Sequence, residues 1–290
     1  MIYRTAQDWE NAPHKRVLLF AMSGLGKTHV SKILAKTGDW FHYSIDYRIG
    51  TRYMAEPIAD NLKAAAMQVP FLAEMLRADA IHIAPNIHDD DLTAVSAYLG
   101  KAGDPRRGGL AMDAYRRRQA QFRAAEEAAL ADTGHFIDRA AAIYGYAHFV
   151  CDTGGSICEW VDPDDPADPI LTELSARALM VWIEGTEEHT AELVRRFDRA
   201  PKPMAYQPEF LDRCWRDYLN ETGLLERDVD PDAFIRWTYA RALAHRQPRY
   251  AAMAGNWGVT IPAARIAAMR DAADFDAIIA EALARRDRSA

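Results

Sequence analysis

KRVLLFAMSGLGKTHVSKIL, residues Lys15 to Leu34, divides into an apolar run, a glycine-bearing turn and the opening of a helix. Val17, Leu18, Leu19 and Phe20 show no polar alternation, which fits a strand covered on both faces of a parallel sheet. Val30, Ile33 and Leu34 then recur at helical spacing. Between the two lies Ser23-Gly24-Leu25-Gly26-Lys27-Thr28. Binding a phosphate takes backbone N–H groups converging at a helix N-terminus, an ammonium that reaches the outer oxygens, and a hydroxyl for the accompanying Mg²⁺. Gly24 and Gly26 let the backbone approach, Lys27 is the ammonium and Thr28 the hydroxyl. The backbone from Ser23 through Leu25 to His29 is therefore expected to cradle a nucleotide's phosphates.

With these residues the chain resembles the P-loop NTPases, with one departure. The family pattern G-x-x-x-x-G-K-[ST] has a glycine where this chain has Ala21. Alanine accepts an extended backbone but not readily a positive φ, so a turn that opens differently from the family's is expected. A chance GKT in a strand-to-helix turn is the competing account, and the coincidence of strand, glycines, Lys-Thr and helix stands against it. The resemblance implies ATP and Mg²⁺ as ligands. No N-K-x-D motif is present, so guanine specificity has no warrant.

Composition narrows the classes. The 290 residues suffice for one large α/β core or a core with a subdomain. With 49% hydrophobic and 27% charged residues the chain has ordinary globular composition. Its net charge of −7 argues against a surface made for nucleic acid. No apolar run nears the roughly 20 residues that span a bilayer. The opening MIYRTAQDWE is acidic and aromatic, unlike a secretory leader. Cys151, Cys158 and Cys214 have no C-x-x-C or zinc spacing and read as reduced thiols of a cytoplasmic protein.

Trp40 to Asp46 is an aromatic and β-branched run, read as a second strand with Asp46 at its carboxyl end. Ligands of open α/β sheets lie beyond those ends. The segment is similar to the second strand of P-loop kinases of the shikimate and nucleotide kinase type. That resemblance makes Asp46 the base or orienting group for the acceptor, and Arg48 and Arg52 clamps for an anionic group; an Asp–Arg pair capping a helix is the plainer account. Arg106, Arg107 and Arg116 to Arg118 invite an acceptor-binding reading too, against which consecutive helical arginines point in different directions.

Tyr146 to Asp152 reads as a core strand ending in an acidic residue, the second half of the P-loop signature, in which the terminal Asp sits beside the first strand and reaches Mg²⁺. The resemblance thus makes Thr28 and Asp152 the expected metal residues. Gly154 and Gly155 resemble the turn that meets the acceptor in shikimate-kinase-like enzymes. Asp165 and Asp168, in the proline-rich loop DPDDPADP, read as solvated turn residues. Leu179 to Gly185 is a fourth strand, and the helix after Thr186 resembles a kinase lid. In that family, lid arginines stabilise the transferring phosphoryl group, a role implied here for Arg195, Arg196 and Arg199. From Gln207 to Arg249 the chain reads as helical, and Asn256 to Pro262 as a fifth strand.

The expected architecture is an α/β, three-layer P-loop NTPase-like fold with a mainly parallel five-stranded sheet and helical insertions. One domain spans 1–290, with an acceptor-binding helical insertion at 55–135 and a lid-like helical region at 186–250. The leading expectation is an Mg·ATP-dependent phosphotransferase, a kinase in which Lys27, Asp46 and the three lid arginines act on a small, anionic acceptor. The alternatives are an ATPase switch that couples hydrolysis to a protein partner through the extra helices, and a nucleotide-binding module without turnover.

Overall fold

Val17 to Phe20 are fully buried at the centre of a five-stranded sheet. The computed structural model describes residues 1–288 and contains β1 (Arg16–Phe20), β2 (Trp40–Ser44), β3 (His148–Asp152), β4 (Leu179–Glu184) and β5 (Gly258–Pro262). All neighbours are parallel, in the order β2-β3-β1-β4-β5. Consecutive residues of β1 and β4 are buried, so both faces of the sheet are covered by helices, as the unalternated apolar runs require. The fold is α/β with a parallel sheet and helical insertions, as expected.

The chain divides into two compact units. The first holds the sheet and comprises Met1–Ile45, Leu130–Pro201 and the chain from Arg236 onward. Around the sheet lie the helices Lys27–Ala35, Thr133–Tyr144, Pro169–Arg177, Ala263–Ala267 and Ala272–Asp287. Phe275, Ile278, Ile279 and Leu283 of the last are buried. The N-terminal helix Ala6–Glu10 packs on it through Trp9, whose ring meets Phe275 edge-on at 6.4 Å.

The second unit comprises Asp46–Ala129 and Lys202–Ile235 and is helical. Its core is fixed by polar ties as well as apolar contact. Tyr115 is fully buried and its hydroxyl donates to the Met204 carbonyl at 3.2 Å. Gln119 donates to the same carbonyl and accepts from the Tyr206 N–H, both at 2.9 Å. Ile81 to Ile87 is not strand, in keeping with Pro85.

Three local expectations are corrected. Asp46 is not at a strand end: β2 stops at Ser44, and Ile45–Arg48 is a short helix with Asp46 in its first turn, continuing into a π-helical turn over Ile49–Tyr53. Asp168 is buried, not solvated; its carboxylate accepts from Leu171 N–H and from Asp162 N–H, both at 2.8 Å, and caps the helix Pro169–Arg177. The helix expected to stop at Arg249 runs from Pro231 to Trp257 with Pro248 inside it. Pro248 forfeits one helical hydrogen bond. Side chains after it compensate by gripping the segment after β3: Arg249 donates to Cys158 and Val161 carbonyls, and Asn256 and Trp257 both donate to the Pro163 carbonyl.

Candidate functional site

The sheet order reverses at β1, whose neighbours are β3 on one side and β4 on the other. The loops following these three strands gather at the carboxyl edge, where open α/β sheets bind ligands. The loop after β1 runs Ala21 to Gly26 into the helix Lys27–Ala35. Gly24 and Gly26 have φ of 90° and 97°, left-handed values that L side chains rarely adopt. Their faces are also crowded: a Cβ would lie 3.1 Å from Leu193 at Gly24 and 3.0 Å from Ile266 at Gly26. Ala21, by contrast, is fully buried and does not take a positive φ. The first residue of the motif therefore needs no glycine in this loop, and its departure from the pattern leaves the rest of the turn in place.

Lys27 is buried, and its ammonium donates to the carbonyls of Ala21 at 3.0 Å and Met22 at 3.4 Å. Thr28 and His29 are exposed beside it. The first turn of this helix, from Lys27 to His29, presents N–H groups that have no acceptor within the helix, since the first such bond is Val30 N–H to the Gly26 carbonyl. These groups and Lys27 make a positive lip suited to an anion.

Asp152 ends β3 next to Leu19 of β1 and Ser44 of β2. Its carboxylate accepts from the Thr28 hydroxyl at 2.7 Å. A hydroxyl and a carboxylate at this separation, beside an anion-binding turn, are the oxygen donors that a phosphate-bound Mg²⁺ takes. The residues present thus fit a nucleotide phosphate with its metal.

The turn after β3 is held to β1 by Thr153, whose N–H and hydroxyl both donate to the Leu19 carbonyl, at 3.1 and 3.0 Å. Neither Gly154 nor Gly155 has a positive φ, so the pair does not form the tight left-handed turn that its glycines suggest. Gly155 instead lies along the loop after β1: a Cβ there would sit 3.5 Å from Ser23 N and 3.7 Å from the Ala21 carbonyl oxygen, ordinary contact distances.

After β4, Thr186 caps the helix Glu187–Arg199 in a reciprocal box with His189. Leu193 of this helix faces Gly24. Arg195 and Arg196 are exposed and both bind Glu192, at 2.9 and 2.8 Å; Arg199 is exposed as well. The two guanidinium groups hold the Glu192 carboxyl below its ordinary value through their hydrogen bonds. Asp46, Arg48 and Arg52 belong to the second unit, where the Arg48 guanidinium lies 5.5 Å from the Tyr53 ring centre. The basic residues read as an acceptor surface also have partners within that unit: Arg106 pairs with Asp104, Arg107 with Asp230, Arg116 with Asp212, and Arg118 with Asn61.

The sequence offers Glu159 only as a possible second acidic group near Asp152 and does not single out its partners. Glu159 and Arg246 form a buried ion pair at 2.6 Å, and the His245 ring lies 3.3 Å from the other carboxylate oxygen. Burial pushes the Glu159 carboxyl up, but the Arg246 charge and the hydrogen bonds from His245 and Arg246 outweigh it and hold the group at about 2. Burial pushes the neighbouring Cys158 thiol up to about 12, which keeps it unreactive.

No family model matches the chain, and no curated protein matches it. Among solved structures, the crystal structure of a shikimate kinase from Bacteroides thetaiotaomicron is similar, at 16% identity and a TM-score of 0.37 over 82% of each chain. A likeness of that degree carries no chemistry from one chain to the other.

Proposed function

We propose that the protein binds Mg·ATP at the loop between β1 and the helix Lys27–Ala35 and transfers the terminal phosphoryl group to a small, anionic acceptor. The observation that carries this reading is the conjunction of a buried lysine on the loop carbonyls with the Thr28–Asp152 hydrogen bond at the carboxyl ends of β1 and β3. Lys27 would exchange carbonyl contacts for phosphate oxygens, and the N–H groups from Ser23 to His29 would orient those oxygens. Thr28 and Asp152 would hold Mg²⁺, which offsets phosphate charge. Arg195, Arg196 and Arg199 would then meet the charge that spreads over the transferring group, the main demand of phosphoryl transfer. Asp46, in the helix after β2, is assigned to the acceptor with Arg48 and Arg52 by the resemblance of their segment to one in small-molecule kinases, and Gly154 and Gly155 by that of the turn after β3.

The test is calorimetric titration with Mg·ATP, followed by turnover assays over anionic metabolites. A kinase shows ATP consumption that rises sharply with one acceptor. Asp46→Asn should abolish that rise and leave Mg·ATP affinity unchanged. Absence of Mg·ATP binding by the wild type would remove the reading altogether.

A second reading, an ATPase switch answering to a protein partner, draws on the apolar side chains that the second unit exposes. Phe71 is 66% exposed and Val69 47%. Under that reading hydrolysis is slow until a partner protein is added, and no small acceptor accelerates it.

A further inference from the structure

The Glu159–Arg246 pair takes no part in the contacts assigned above, yet its cost is considerable. Glu159 has no exposed side-chain surface and Arg246 only 4%. A buried pair of charges is no better for stability than well-packed apolar residues of the same volume, so its return lies elsewhere. The guanidinium is a rigid planar fork, and fixing one arm fixes the direction of the others. Here Nε donates to Glu159 at 2.6 Å and Nη1 donates to the Gly155 carbonyl at 2.9 Å. The Tyr250 hydroxyl donates to that same carbonyl at 2.5 Å, filling its second lone pair. Gly155 in turn faces Ala21 and Ser23, at the start of the phosphate loop, across a space that one methyl group would fill. Hydrogen bonds run from a buried carboxylate, through a fixed fork, to a doubly held carbonyl, and the residue that carries it faces the loop backbone.

We propose that Arg246, oriented by Glu159 and assisted by Tyr250, is a positioning residue of the nucleotide site: it holds the Gly155 carbonyl and thereby the backbone of Ala21 to Ser23 in the geometry that the phosphates require. The proposal rests on the reading of that loop as an Mg·ATP site. It gives the 236–257 part of the long helix, which supplies no phosphate contact, a role in setting nucleotide affinity.

The experiment measures Mg·ATP affinity by calorimetry, together with the thermal midpoint, for the wild-type chain, the double variant E159M/R246M and the single variant Y250F. The double variant removes both charges together and leaves no unpaired ion in the core. A merely structural pair would move the midpoint and leave affinity alone. Positioning predicts the opposite: a midpoint near that of the wild type with affinity weakened roughly tenfold or more, since small displacements of a binding frame are costly. Y250F keeps the ion pair and removes one of the two donors on Gly155, and a several-fold loss is expected. If the double variant does not fold, Y250F decides. Wild-type affinity in Y250F and in any folded double variant would overturn the positioning role while the nucleotide reading stands. A wild-type chain that binds no Mg·ATP would overturn both.

Discussion

Lys27 is the side chain on which the proposed phosphate site depends most. Its ammonium is buried and satisfied by two loop carbonyls. Charge-assisted contacts of this kind are worth about 1.5–3 kcal/mol each, so Lys27→Ala should weaken Mg·ATP binding by roughly 10- to 100-fold in a calorimetric titration. Glycines at the site divide into two kinds that substitution separates. Gly26→Ala forces an L side chain into φ 97° with Ile266 at 3.0 Å, and a loss of about 1–2 kcal/mol in chemical denaturation is expected. Gly155→Ala adds a methyl at ordinary contact distance without left-handed backbone, and stability within about 0.5 kcal/mol of wild type is expected. Equal losses in the two variants would contradict this account. Gly26 was legible in the sequence because G-K-T at a strand-to-helix junction is a local signal. The conformation of Gly155 was not, because a glycine pair says nothing about which neighbour it lies against.

Among the elements, the strands were the most readable, since β1 and β4 carry unbroken apolar runs that suit a doubly covered sheet. The apolar run ending in an acid gave the strand and its acidic end, while the placement of Asp152 beside the first strand came only from the resemblance to the P-loop signature. Helix ends were less readable. The helical reading ended at Arg249, but residues on both flanks of Pro248 bond to the segment from Gly155 to Pro163, and tertiary contact carries the helix on to Trp257. Those partners lie some ninety residues apart in the chain, a separation that no local pattern reports. The loop before Pro169 misleads in the reverse sense: its aspartates and prolines suggest solvent, while Asp168 is buried as a cap holding two N–H groups. Asp168→Ala leaves both without an acceptor, and the thermal midpoint should fall by an amount equivalent to about 1–3 kcal/mol. Asp165→Ala, at an exposed position, is the control and should leave it in place.

Over the whole molecule the buried Glu159 carboxylate makes stability depend on acid. Its folded value of about 2 lies below the ordinary 4.5, so the stabilisation is complete above about pH 5 and is lost as the pH falls toward 2. The difference corresponds to roughly 3 kcal/mol. Glu159→Gln should be less stable than wild type at pH 7, and the gap should narrow as urea denaturation is repeated at successively lower pH. A gap that stays constant from pH 7 to pH 3 would show that another group governs acid unfolding. No helix among the described residues is long and apolar enough to cross a membrane, and the three cysteines are buried thiols. Sequence reading offers a helical insertion at 55–135 and a lid-like helical region at 186–250; the helical unit comprises Asp46–Ala129 and Lys202–Ile235, two stretches that lie far apart in the order of synthesis.

The contacts of Lys27 with Ala21 and Met22 make its ammonium an internal strut. The strut ties the start of the helix to the opening of the loop and so holds the outline of the turn. Exchanging Lys27 for alanine accordingly takes away shape along with charge, whereas arginine, longer and forked, would retain the charge but fit the span poorly. Free phosphate in excess should therefore rescue neither replacement, since what each lacks is a brace that no soluble anion supplies.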